Sequence, residues 1–178
     1  AEAADGAVFT VFLAQLNAGA RVARADAPLV LHAGVWRPGV ACAGLARALA
    51  SPDVVAGAFR TRTIADGRRS WVRPFLCLAD VRSRVSRHPY GDQALFVRRA
   101  AFEQAGGFPD QPLMEDLELV RRLRRLGRVV TVPAIVEVSG RRFLARPLRT
   151  LVAMRLFPVL YRLGVSPHVL AWFYGAPR

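Results

Sequence analysis

Residues 90–128 read YGDQALFVRRAAFEQAGGFPDQPLMEDLELVRRLRRLGR, and the rest of the chain is best organised around them. The apolar run from Gln93 to Arg98 predicts a strand. Arg99 to Ala105 predicts a short helix, closed by Gly106-Gly107. After a loop over Phe108 to Leu113, the spacing predicts a strong helix from Glu115 to Leu126, stopped by Gly127. Glu115, Asp116 and Glu118 occupy its first turn and Arg121, Arg122, Arg124 and Arg125 its last turns, matching the macrodipole at both ends. Acids so placed are sufficient as helix-starting residues. Two adjacent carboxylates after an apolar loop also suit general-base chemistry, one held by neighbours while the other faces a cleft and takes a proton. Both readings stand on the sequence alone.

On either side, short apolar runs alternate with helical segments. Upstream, Asn17 to Ala25 predicts a helix, Pro28 to His32 a strand, Gly39 to Ala50 a helix and Val54 to Arg60 a strand. A polar loop follows over Thr61 to Ser70, with Asp66-Gly67 as a turn signal, and Arg73 to Ser86 predicts another helix. Downstream, Val129 to Val132 and Ile135 to Val138 predict two further strands. Strands alternating with helices of this length point to an α/β domain with a mostly parallel sheet. The sequence contains no internal repeat and no linker.

The 178 residues include 26 arginines and no lysine against 13 acids, a formal charge of +13. With 53% apolar and 22% charged residues, the chain is neither a disordered basic tail nor a low-complexity polymer. A core-forming composition with this charge favours anionic partners: nucleic acid, a phospholipid surface or phosphorylated small molecules. Complete replacement of lysine by arginine also reads as a biased coding background. Cys42 and Cys77, with no CxxC pair, indicate a reduced, cytoplasmic protein and no zinc set. His32, His88 and His168 are spaced too widely to suggest one ligand set, and each reads as a packing or surface residue.

Leu148 to Tyr174 holds the most apolar stretch, interrupted by Arg149, Arg155, Pro158 and Arg162. Leu148, Leu151, Val152, Leu156, Val159, Leu160 and Leu163 recur at helical spacing around one side. Such a face either packs on the domain's own core or lies in an anionic membrane interface, which makes the protein cytoplasmic or peripheral on the inner face of the membrane. Gly164, Ser166 and Pro167 form a stop and a restart before a short helix over Val169 to Tyr174.

The strings FVRRAAFEQAGGFPD and MEDLELVRRLRRLG, with PYGDQ at Pro89 to Gln93, resemble the family 2 glycosyltransferases, and within them the radical-SAM/selenodomain-associated transferase 2 branch. The resemblance runs from about Gln15 to about Tyr174. It implies a GT-A fold: a mostly parallel sheet flanked by helices, here over residues 1–146, with C-terminal amphipathic helices over 147–178. It implies an enzyme that transfers a sugar from a nucleotide-sugar donor to a hydroxyl acceptor with inversion. Asp116 carries over as the general base and Glu115 as its neighbour. Gly91, Asp92 and Gln93 carry over to the acceptor pocket, and Gln15 and Asn17 to the donor side. Arg141 and Arg142, in SGRRF, offer charge to a diphosphate; they also read as solvated surface arginines.

The sequence departs from the family in three places, one of them Phe12-Leu13-Ala14, where the branch has a GRA triplet whose arginine could fork onto phosphate. Gly34 stands where the family has the aspartate that helps hold Mg²⁺ or Mn²⁺, and glycine supplies no side-chain oxygen. Ala1 to Val8 resembles the end of a helix that follows the family's second strand, so the first strands of the domain are expected to be lacking. These departures favour one competitor to an active transferase, a catalytically inactive remnant serving as scaffold or partner; the net charge alone supports a second, a basic nucleic-acid binder. The second is disfavoured by the lack of any recognisable nucleic-acid motif and of aromatics interleaved with the arginines.

Overall fold

The computed structural model describes residues 15–32, 35–36, 41–64, 73–85 and 88–175. In chain order these form α1 (15–22), β1 (Leu29–Val30), β2 (Val35–Trp36), α2 (Ala41–Leu49), β3 (Val54–Ile64) and α3 (Arg73–Val85). A 3-10 turn over Gly91–Gln93 leads into β4 (Leu95–Val97), α4 (Arg99–Gln104), α5 (Glu115–Leu126) and β5 (Arg128–Ser139). Helices α6 (Arg141–Ala145), α7 (Pro147–Arg162) and α8 (Pro167–Tyr174) complete the order.

The α/β class is as the sequence indicates, but the sheet is mixed rather than mostly parallel. Its order is β1-β4-β3-β5-β2. Only β3 and β5 run parallel; β1–β4, β3–β4 and β2–β5 are antiparallel. The alternation of strands and helices misleads here because a helix between two strands does not fix the direction of return. After α3 the chain runs through the Pro89–Gln93 segment and enters β4 from the opposite end, pairing Phe96 with Gly57 and Val97 with Ala56.

Several strand boundaries also differ from expectation, β1 and β4 being shorter than the expected 28–32 and 93–98. The two strands expected at 129–132 and 135–138 are one, Arg128–Ser139. Its register against β3 jumps from Val132↔Phe59 to Ile135↔Arg60, because Pro133 has no N–H for the ladder and the chain bulges around it instead of ending. Strand β3 runs on to Ile64, taking up Thr61 and Thr63 from the expected loop. Asp80 of α3 explains the extension: its Oδ1 accepts from the Thr63 N–H at 2.9 Å and from the Thr63 hydroxyl at 2.8 Å. Two-residue β2 and five-residue α6 were too short to show a period in the sequence.

Neighbouring β4 residues point to opposite faces, and each face has its own core. Val97 packs with Ala101, Phe102, Phe108, Leu119 and Leu123 under α4 and α5. Phe96 packs with Phe59, Val132 and Val136 under α2, its ring edge-on to Phe59 at 5.6 Å. Several arginines are consumed inside this scaffold. Arg98 donates to the carbonyls of Val54, Leu49 and Ser51, and Arg99 to those of Ala20, Ala23 and Ala25. The basic excess is therefore partly structural glue. The inner side of α7 packs through Ala153 and Phe157 with Leu170 of α8 against Leu113 and Met114, which sets the C-terminal helices over the loop that feeds α5.

Candidate active site

A cleft of about 420 Å³ lies where β3, the 3-10 turn, the start of α5 and the inner side of α7 meet. Its wall includes His32, Asp92, Glu115, Asp116, Arg141 and Phe157. The start of α5 is aimed into it by backbone rather than by a cap. Met114, the residue before the helix, has φ 64° and makes no side-chain cap bond. Ala94, just after the 3-10 turn, has φ 53°. Among the described residues these are the two non-glycine positions in the left-handed region, and both adjoin segments that line the cleft. Such backbone costs about 1–3 kcal/mol per residue and clusters at functional sites.

Asp116 is fixed by two backbone donors: the Gly91 N–H reaches Oδ2 at 2.6 Å and the Leu117 N–H reaches Oδ1 at 2.7 Å. Burial pushes its carboxyl above the usual aspartate range, against the pull of these two N–H groups and of His32. Glu115 beside it is raised to about 7, first by burial and then by the charge of Asp116. The pair thus holds a proton near neutrality, with the N–H-anchored Asp116 the better placed to carry the charge. Gly91 cannot be replaced without disturbing this arrangement. A Cβ there would stand 2.2 Å from His32 Nε2, so the glycine lets the imidazole and the Asp116 carboxylate approach the same turn.

Arg82 and Tyr90 complete the opposite wall. The Arg82 guanidinium lies 4.0 Å from the Tyr90 ring centroid and donates to Asp92 Oδ2 at 3.2 Å. Arg82 Nε and Asp92 Oδ1 are buried with no hydrogen-bond partner, a cost of about 1–3 kcal/mol each that native structures tend to retain only where something is gained.

The structure brings Gly91, Asp92, Glu115, Asp116 and Arg141 together. It places Gln93, Asn17 and Gln15 elsewhere. Gln93 is fully buried and spends its side chain on backbone: Nε2 donates to the carbonyls of Phe59 and Ser83, and Oε1 accepts from the Tyr90 N–H. Asn17 pins the turn at Gly106 to Phe108, donating to the Phe108 carbonyl at 3.0 Å and accepting its N–H at 2.9 Å. It lines a different hollow of about 210 Å³, with Arg21, Arg99 and Gly107. Gly107, at φ 69°, suits that turn, since a Cβ would meet Asn17 Oδ1 at 2.8 Å. Gln15 is exposed at the start of α1. Gly34 and the Arg142 side chain lie outside the described residues. His32, Arg82 and Tyr90 were not singled out from the sequence as site residues. The position of His32 at the carboxyl end of an expected strand, where α/β sheets place their ligands, was the signal that would have found it.

Among the described residues no three of His, Cys, Asp and Glu stand together as a metal set. Around the cleft, Asp116 accepts from two N–H groups and Asp92 Oδ2 from Arg82, while Asp92 Oδ1 makes no hydrogen bond. Compared with known proteins, the chain matches no family model and no curated protein.

Proposed function

We propose that the protein is a family 2-like glycosyltransferase of GT-A type, moving a sugar from a nucleotide-sugar donor to a hydroxyl acceptor with inversion. The observation that carries this reading is the acid pair at the mouth of α5. Asp116 is held by the Gly91 N–H at 2.6 Å and lines a cleft with Asp92, His32 and Arg141. In the proposed step the acceptor oxygen attacks the anomeric carbon while its proton passes to the Asp116 carboxylate. The bond from that carbon to the nucleoside diphosphate breaks, and the diphosphate leaves with the electron pair. Glu115 acts as a positioning residue, its raised affinity for a proton keeping a second full charge away from the base near neutral pH. Arg141 supplies positive charge to the leaving phosphates, and Asp92 with Arg82 offers a polar wall to the acceptor. We place this activity in the cytoplasm, in keeping with the free, exposed Cys77 thiol.

One second reading has support of its own: an inactive remnant serving as a scaffold. Gly34 brings no carboxylate where the resembled family has one, and both Asp116 oxygens already accept backbone hydrogen bonds. Calorimetry with UDP- and GDP-sugars, with and without Mn²⁺, decides between them. Saturable heat together with sugar transfer that Asp116→Asn abolishes supports the transferase. No heat with any nucleotide sugar leaves the scaffold.

A further inference from the structure

We propose that the outward face of α7, together with the exposed end of α8, docks onto an anionic phospholipid surface. Leu148, Val152, Leu156, Val159 and Leu163 are all exposed, from 45% for Leu156 to 76% for Leu163. At about 100° per residue they fall within an arc of about 80° on the helix, a narrow apolar stripe pointing away from the core. The packed residues Ala153 and Phe157 lie on the other side of the same helix. Exposed Arg155 and Arg162 border one edge of the stripe and Arg149 the other. Arg149 Nη2 donates to the Phe173 carbonyl at 2.5 Å, tying this edge to α8, where Val169, Trp172 and Phe173 are exposed on one side.

The charge names the occupant. From residue 138 to residue 178 the chain has seven arginines and no aspartate or glutamate. A second copy laid against this face would bring the same arginines with no carboxylate to meet them. Aliphatic Leu and Val side chains offer a nucleic acid neither stacking planes nor donors. A bilayer with anionic headgroups satisfies both parts: the stripe enters the acyl boundary while the arginines extend to the phosphates, and an exposed Trp suits the interface. Among the described residues no helix is long and apolar enough to cross a membrane, so the contact lies in the interface plane. Ala153, Phe157 and Pro158 of the same helix line the cleft, so docking holds the cleft about one helix diameter, roughly 10 Å, from the lipid. The inference does not depend on what the cleft transfers.

The test is flotation of the full chain with vesicles of phosphatidylcholine containing roughly one third phosphatidylglycerol, against vesicles of phosphatidylcholine alone. The expected result is co-flotation with the anionic vesicles, weakened by salt, and at least about a tenfold lower partition for Leu156→Glu/Val159→Glu. In the unsubstituted chain, brominated acyl chains are expected to quench a tryptophan signal that Trp172→Phe removes, a readout that needs no charged substitution. The proposal is overturned if the chain stays with the aqueous phase. It is equally overturned if neutral vesicles bind as well, or if the chain sediments as a dimer that the double substitution separates.

Discussion

Glu115 and Glu118 stand three residues apart in the first turn of α5, and the fold drives them in opposite directions. Glu115, with Asp116, faces the cleft and is raised to about 7 by burial and by its acidic neighbour. Glu118 is buried at 6% exposure yet lowered to about 2, chiefly by hydrogen bonds from Arg121. Arg121 reaches it at 2.7 and 2.8 Å, Arg122 at 3.0 Å and the Tyr161 hydroxyl at 3.1 Å. The macrodipole favours both carboxylates alike, so the difference comes from which side of the helix each occupies. One side has cations at i+3 and i+4, and the other meets a cleft. A carboxylate matched by cations is structural, whereas a pair that shares burial without them is suited to moving a proton.

The largest test of that contrast is catalytic. Asp116→Asn is expected to lower sugar transfer by about 10³-fold while leaving donor binding heat intact. Glu118→Gln should leave transfer within a factor of a few. Equal losses in the two variants would erase the distinction between the two sides of α5.

Next in size is stability through Glu118. Its folded pKa lies below the ordinary glutamate value of 4.5, so its contribution is present above that value and lost as pH falls toward about 2. Glu118→Ala is expected to cost about 2–3 kcal/mol near neutral pH, allowing for the solvent exposure of its arginine partners, and progressively less in acid. Urea unfolding at a series of pH values measures this; a cost that did not shrink in acid would assign it to packing instead.

Glu115 has the opposite sign. Its folded pKa lies above 4.5, so the stability linked to its proton is present below 4.5 and is lost as pH rises through about 7, by about 2 kcal/mol once solvent screening of this partly exposed group is allowed for. Glu115→Gln should flatten the stability curve across that window, and a variant curve parallel to the parent's would show that the carboxyl is not held protonated. Smallest is Tyr161→Phe, which removes one hydroxyl from Glu118 and is expected to cost about 1 kcal/mol in thermal unfolding, with the acid limb otherwise kept.

Much of the fold was legible in the chain because local chemistry set it. The Glu115 to Leu126 helix carries its own charge asymmetry, apolar period and glycine stop, and it forms with those boundaries. The restart at Ser166-Pro167 is equally local, with the Ser166 hydroxyl accepting from the His168 N–H. Strand direction was not legible, because antiparallel β4 depends on how the Pro89–Gln93 segment turns, and the bulge at Pro133 depends on having β3 alongside. Gln93 and Asn17 looked like ligand contacts from their residue type, but their amides meet backbone from segments far along the chain: Phe59 for one and Phe108 for the other. No pattern around either residue encodes that meeting.

The sequence alone determined the α/β class, the acid pair at a helix mouth, the apolar stripe of the C-terminal helix and the excess of arginine around it. Those features follow from neighbours within a turn or two, where spacing and residue type are enough. Only the tertiary structure decided that His32, Gly91 and Asp116 converge and that Glu118 is matched by cations and Tyr161 while Glu115 is not. It also decided which side of α7 is packed and which remains exposed. Those outcomes depend on the burial, electrostatics and approach distances created when distant segments pack together.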